Sequence, residues 1–289
     1  MKILLLGKNG QVGWELQRSL SLLGDLVACD FDSPGELKAD FSQPESLAPL
    51  VRRERPDVIV NAAAHTAVDK AESEPELAQA LNATAPGVLA REAATLGAWL
   101  VHYSTDYVFD GSGDAPRDED APTAPLSVYG RTKLAGELAV LAAQPEATVV
   151  RTSWVYTGGS GSDFVAAMRR VAATEDTVDV ADDQIGSPTY VKDLAGALFE
   201  AGDARIREPV LHAANDGAVS RFQQARAVFE ALGADPERVR RASAAQSPKP
   251  ARRPVYSALS MTMSAQAGLT PLRPWRAALA EALAQPLAD

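Results

Sequence analysis

Short, wholly apolar runs alternate with amphipathic stretches through the first half of the chain. Ile3-Leu4-Leu5-Leu6, Leu26-Val27-Ala28-Cys29, Val58-Ile59-Val60, Trp99-Leu100-Val101 and Thr148-Val149-Val150 are too short for helices and apolar on both faces. That is the pattern of strands buried inside a parallel sheet. Between them, helical spacing runs from Trp14 to Leu23, and from near Pro44 (capped by Ser42) to about Arg55. It resumes from about Pro75 to Gly97, with a break expected at Ala85-Pro86, and again around Tyr129 and Lys133. Strand and helix in alternation predict an α/β fold, a doubly wound parallel Rossmann-like sheet, over residues 1–155.

From 156 to 289 the alternation loosens, and a smaller, mostly helical substrate-binding domain is expected, with parts of 177–215 returning to the sheet. Helices are expected near Asp163–Ala173, and near Val191–Ala201, Arg221–Leu232 and Trp275–Leu283, the last three forming a lid. Val178–Val180 reads as a strand, residues 182–189 as a loop, and the glycine-rich stretch 158–161 as a mobile one. Ser247-Pro248-Lys249-Pro250-Ala251-Arg252-Arg253-Pro254 is held extended by its prolines and crowded with cations. Two readings stay open for it: a solvated basic loop, or guanidinium groups set for a diphosphate.

The chain has 289 residues and a formal net charge of -10, with no long basic stripe. Binding to nucleic acid or to an anionic membrane is therefore not expected, and an anionic ligand has to be met by a local cluster. Cys29 is the single cysteine, which excludes an intrachain disulfide and fits a reducing compartment. The opening apolar run is too short for a signal peptide, and no stretch approaches a membrane span. A cytoplasmic location is the expectation. His65, His102 and His212 lack ligand spacing and read as structural, so no metal site is assigned.

Four chemical signals fall at the carboxyl ends of the expected strands. Gly7, Gly10 and Gly13 follow the first strand and open a helix, where backbone N–H groups can receive a pyrophosphate. Gly7 suits a tight turn, Gly10 the close approach of phosphate, and Gly13 the packing of helix on strand. Asp30 closes the second strand, either as the carboxylate holding an adenosine ribose or as an ordinary loop acid. The small residues of Asn61-Ala62-Ala63-Ala64-His65-Thr66 would let a ribose or nicotinamide lie against backbone. Finally, Tyr129 and Lys133 share a helix face one turn apart, and Thr105 ends a strand. A nearby cation is expected to lower the phenol's pKa toward useful acid–base chemistry, with Thr105 sharing the reacting oxygen.

The segments GKNGQVGWELQ (7–17), RPDVIVNAAAHTAVDKAESEP (55–75), VHYSTDYVFDG (101–111), PLSVYGRTKLAGE (125–137), RTSWVY (151–156) and PARRP (250–254) resemble the extended short-chain dehydrogenase/reductases. Within them, the likeness is to the dTDP-4-dehydrorhamnose reductase family. That resemblance implies reduction of the C4 keto group of dTDP-4-dehydro-6-deoxy-L-mannose to dTDP-L-rhamnose with NADPH or NADH, for cell-surface polysaccharide. It implies that Tyr129 gives a proton to the C4 oxygen, that Lys133 holds the nicotinamide ribose, and that Thr105 hydrogen-bonds the reacting oxygen. Gly10, Gln11 and Val12 would carry the pyrophosphate and Asp30 the adenosine ribose. Asp40 and Phe41 would flank adenine, and Ala63, Ala64 and Thr66 would line the groove. Asp106 and Trp154 would touch the sugar, and Arg253 a phosphate. Some relatives hold Mg²⁺ at a dimer contact; no ligand cluster stands out here, and a homodimer is an open expectation. The alternatives are a nucleotide-sugar epimerase or dehydratase, and a non-catalytic NAD(P)-binding regulatory subunit. Dehydratases carry Asp-Glu after the threonine, whereas here Asp106 is followed by Tyr107.

Overall fold

The computed structural model describes residues 1–159 and 161–284. Residue 160 of the glycine-rich stretch, and 285–289 of the expected second domain, lie outside the described residues. Six strands form the main sheet: β1 (Lys2–Leu6), β2 (Asp25–Cys29), β3 (Val58–Asn61), β4 (Trp99–Thr105), β5 (Thr148–Thr152) and β6 (Val210–His212). Their order is β6-β5-β4-β3-β1-β2, with every pairing parallel. The order reverses at β1, so a crevice opens beyond the carboxyl ends of β1 and β3.

Alternation along each strand feeds two cores. Leu4, Leu6, Ile59, Leu100 and Val149 face Leu47, Val51 and Leu89 on one side. Ile3, Leu5, Val60, Val101 and Val150 face Leu16, Leu20 and Leu198 on the other. Truncating one of these leucines to alanine would cost about 2–5 kcal/mol, through lost transfer energy and the cavity left behind.

Among the described residues there are eight longer helices: α1 (Gln11–Leu20), α2 (Leu47–Glu54), α3 (Ala85–Leu96), α4 (Val128–Ala143), α5 (Phe164–Ala172), α6 (Val191–Asp203), α7 (Arg221–Ala231) and α8 (Trp275–Ala284). Several expectations need correcting. Ser42 does not cap α2, because its amide and hydroxyl both donate to Asp40 (3.1 and 2.6 Å). The helix instead starts through a 3-10 turn, Pro44–Ser46, where proline's fixed φ suits a first turn. The chain is not broken at Pro86. A π-helical stretch, Ala80–Thr84, leads directly into α3, and its wider turn accommodates a ring that an α-helix would reject.

Helix α6 does not belong to a lid. Leu194, Ala195, Leu198 and Ala201 pack with Leu16 and Leu20 of α1 against the main sheet, because their spacing makes one apolar face. The segment read as a loop over 182–189 holds two short strands. Ile185–Gly186 pairs antiparallel with Val219–Ser220, and Thr189–Tyr190 pairs parallel with Val155–Tyr156. Val178–Ala181 pairs with Val239–Ala242. A third core joins Val165 and Met168 of α5, Phe229 of α7 and Leu279 of α8 with Tyr156 and Tyr190. Among the described residues, no helix is long and apolar enough to cross a membrane.

Candidate active site

A cavity of about 1120 Å³ lies at the carboxyl ends of the strands. Its floor is the turn between β1 and α1. Gly7 sits at φ 87°, and a Cβ there would lie 2.6 Å from the Ala63 amide nitrogen. A Cβ on Gly13 would lie 1.9 Å from the Gly7 carbonyl oxygen, so the helix can start this close to the strand only with glycine there. Gly10 differs, since its Cβ would meet protein only at 3.5 Å, leaving the space above it for a ligand. As the residue before α1 it contributes no side-chain acceptor, so the first-turn amides of Gln11, Val12 and Gly13 remain available to an anion. Asp30 borders the same space and accepts from the Asn9 amide at 3.0 Å, which ties β2 to the turn. These residues fit a dinucleotide.

Asp40, Phe41, Ala63, Ala64 and Thr66 also line the cavity. Phe41 is largely spent in the core, whereas Phe31, unnoticed in the sequence, is 64% exposed at the cavity edge. The amide of Ala63 donates to Asn61 Oδ1 at 3.1 Å.

The opposite wall comes from β4 and α4. Ser127 caps α4 by accepting from the Gly130 amide at 3.1 Å, which places Tyr129 and Lys133 in its first two turns. A Cβ on Gly130 would lie 2.3 Å from the Tyr107 carbonyl oxygen, so the glycine beside Tyr129 lets α4 seat on the end of β4. Thr105 donates to Asp106 Oδ1 at 3.1 Å and accepts from the Tyr107 amide. The Tyr107 and Tyr129 rings meet edge to face, with centroids 5.6 Å apart. Burial raises the Tyr129 phenol well above its ordinary range, and a hydrogen bond with Thr105 opposes that rise.

Lys133 is not among the groups that shift Tyr129, contrary to the sequence-based expectation. Its Nζ donates to the Tyr103 carbonyl at 2.6 Å and lies 3.5 Å from His102 Nε2. Buried there, it is itself lowered to about 8. Tyr129 is therefore held as the protonated phenol, the form that gives a proton.

Asp106 is buried and raised to about 6, chiefly by desolvation, while hydrogen bonds from Ser257 and Thr105 hold it down. Trp154 sits at φ 48°, an uncommon conformation for a bulky residue, and its indole lies against Gly186, where any Cβ would strike the ring. The Arg221 guanidinium covers that ring at 3.4 Å from the centroid. Arg253 departs from expectation. It forms a bidentate pair with Asp69, both contacts at 2.8 Å, and the pairing raises its pKa; it does not line the described cavity. Arg221 does line it. Among the described residues, no three acidic, histidine or cysteine side chains gather as a metal site.

The model of the RmlD substrate binding domain matches residues 1–287 of the chain. The chain belongs to this family. It is 55% identical to the dTDP-4-dehydrorhamnose reductase of Mycobacterium tuberculosis over 290 residues, covering 99% of this chain and 93% of that protein. Among solved structures, the Clostridium acetobutylicum dTDP-4-dehydrorhamnose reductase superposes with a TM-score of 0.91 at 36% identity, covering 98% of each chain. The Bacillus anthracis dTDP-4-dehydrorhamnose reductase, in complex with NADP, gives 0.90 at 33% identity, covering 97% of each.

Against this family background, Arg221 and Ser257 stand out as site residues with no site reading in the sequence, whereas Asn61 lies in the expected groove stretch 61–66 and His102 among the histidines expected to be structural. Arg221 opens α7 behind its cap Ser220 and reaches the cavity only because that helix docks beside Trp154. Ser257 follows the basic segment and meets Asp106 across 151 positions of chain. Asn61 and His102 lie side by side in register on β3 and β4 beneath Lys133. Only the last pair left a sequence signal: Asn61 is a polar residue ending an otherwise apolar strand, and His102 directly follows the apolar run Trp99-Leu100-Val101.

Proposed function

We propose that this chain reduces the C4 keto group of dTDP-4-dehydro-6-deoxy-L-mannose to dTDP-L-rhamnose, using NADPH or NADH. The observation that carries the reading is the meeting of Tyr129, Thr105 and Lys133 with the Gly7–Gly13 turn around one cavity. The bound nicotinamide supplies the hydride. Tyr129 donates its phenolic proton to the C4 oxygen, and Thr105 holds that oxygen in place. Lys133 holds the nicotinamide ribose, Asp30 the adenosine ribose, and the amides of Gln11 and Val12 the pyrophosphate. Asp40 and Phe41 flank adenine, while Ala63, Ala64 and Thr66 keep the groove narrow.

On the sugar side, Asp106 accepts hydroxyl protons and the Trp154 indole packs against the ring. Arg221, not Arg253, meets the substrate's diphosphate, since Asp69 already neutralises Arg253. We assign cofactor binding to the main sheet and its helices, and sugar-nucleotide binding to the part built around α5, α7 and α8. Cys29, buried and unpaired, suits the reducing cytoplasm, where we place the reaction.

Purified protein should oxidise NADPH or NADH, followed at 340 nm (a property of nicotinamide), only when the 4-keto sugar nucleotide is added. Tyr129→Phe should lower kcat by about 10²–10⁴-fold with cofactor affinity little changed. Undiminished turnover in that variant would reject the role of Tyr129. Turnover without net cofactor consumption would point to an epimerase or dehydratase.

A further inference from the structure

Asn61, His102 and Lys133 form a buried line from the middle of the sheet to the active-site cavity. Asn61 and His102 are in register on β3 and β4, and His102 is fully buried. The Asn61 amide is oriented by its neighbour, because its Oδ1 accepts from the Ala63 N–H at 3.1 Å. Its Nδ2 is therefore the atom 3.0 Å from His102 Nδ1. An amide nitrogen only donates, so Nδ1 has to be the bare, accepting nitrogen of the ring. The burial that holds His102 well below its ordinary pKa keeps the ring neutral. A neutral ring with a bare Nδ1 carries its proton on Nε2.

Nε2 lies 3.5 Å from Lys133 Nζ. Gly136, one turn further along α4, lets the helix seat against Asn82, since a Cβ there would lie 2.0 Å from the Asn82 carbonyl oxygen. An ammonium group has donors only, so it would meet the Nε2–H donor to donor. A neutral amine offers a lone pair to that N–H and still donates to the Tyr103 carbonyl at 2.6 Å.

We propose that Asn61 and His102 are positioning residues that bias Lys133 toward its neutral amine, by fixing the imidazole as the Nε2–H tautomer. Desolvation acts on Lys133 in the same direction, and Glu137, one turn on along α4, opposes it. From the sheet side His102 and the Tyr103 carbonyl face Lys133, and Tyr129 precedes it on its own helix. A lysine that both holds and releases a proton near neutral pH can restore the proton that Tyr129 gives up, whereas a permanently charged one cannot. The proposal rests on the reductase reading for its purpose. Its test uses ligand-free protein, so the two can fail separately.

In ligand-free protein, ¹⁵N spectra of the histidine side chains should show His102 protonated on Nε2 and bare on Nδ1 throughout the neutral range. A proton on Nδ1, or a doubly protonated ring, would overturn the proposal without any variant. Asn61→Asp keeps an acceptor for the Ala63 amide but places a carboxylate oxygen against Nδ1. The tautomer should reverse, and Nε2 would then accept from Lys133. The Lys133 ammonium signal should then persist to higher pH, by at least about tenfold in the proton-binding equilibrium. The added negative charge also favours the ammonium, so the same substitution in a His102→Phe background measures charge alone. A clearly smaller shift there supports the tautomer; an equal shift in both backgrounds, or none in Asn61→Asp, overturns it.

Discussion

The Arg221 guanidinium lies 3.4 Å from the centroid of the Trp154 ring and 4.8 Å from that of Phe164, and no ion pair to it occurs among the described residues. It donates to the Gln224 side chain at 3.2 Å. Burial lowers its pKa to about 10, a sign that its charge lacks the solvation it would have in water. A cation held this way is an incomplete site, and an incoming diphosphate would complete it.

Arg221→Gln should therefore raise KM for the sugar nucleotide by about ten- to a hundredfold, the loss expected for charged hydrogen bonds worth roughly 1.5–3 kcal/mol. Cofactor affinity should not change. Steady-state kinetics at fixed saturating cofactor checks both; an unchanged KM would return the diphosphate to Arg253.

The glycine turn separates folding from binding. Gly13→Ala forces a methyl group to 1.9 Å from the Gly7 carbonyl oxygen and should destabilise the protein by about 1–3 kcal/mol, as overpacking does. Gly10→Ala meets protein only at 3.5 Å, so its urea midpoint should stay near that of the unchanged chain while cofactor affinity falls. Denaturation and fluorescence titration on the two variants test the distinction, and equal effects on both measurements would remove it.

Asp106 should leave a mark on stability against pH. Its folded pKa of about 6 lies above the ordinary aspartate value of 3.8, so between those values the folded chain binds more protons than the unfolded one. This group's contribution is therefore fully present below about 3.8 and is lost as pH rises through about 6. Asp106→Asn should flatten that part of a plot of urea midpoint against pH, and should also weaken substrate binding. An unaltered slope would mean that the carboxyl is ionised throughout.

Asp30 accepts from the Asn9 amide at the cavity edge, where its carboxylate would repel a 2′-phosphate. Asp30→Ala should shift the preference between the two cofactors toward NADPH, by about tenfold or more, with the loss falling mainly on NADH as a ribose partner disappears. The ratio of kcat/KM values for the two cofactors is the measurement. A fall in the NADPH:NADH ratio would show that Asp30 does not face the ribose.

The strands, the glycine turn and the helix carrying Tyr129 were legible in the chain because each depends on neighbours in sequence. An apolar run of four or five residues, a glycine forced by backbone crowding, and a four-residue helical spacing are local facts. Only the fold decided that α6 covers the sheet, that a π-helical turn carries the chain past Pro86, and that Arg253 spends its charge on Asp69. Those outcomes turn on which surfaces meet. The same holds for the electrostatics: Lys133 turned toward Tyr103 and His102 while burial raised Tyr129, because desolvation depends on everything packed around a group. Local chemistry therefore named the reacting side chains, and their protonation was set by contacts between segments far apart along the backbone.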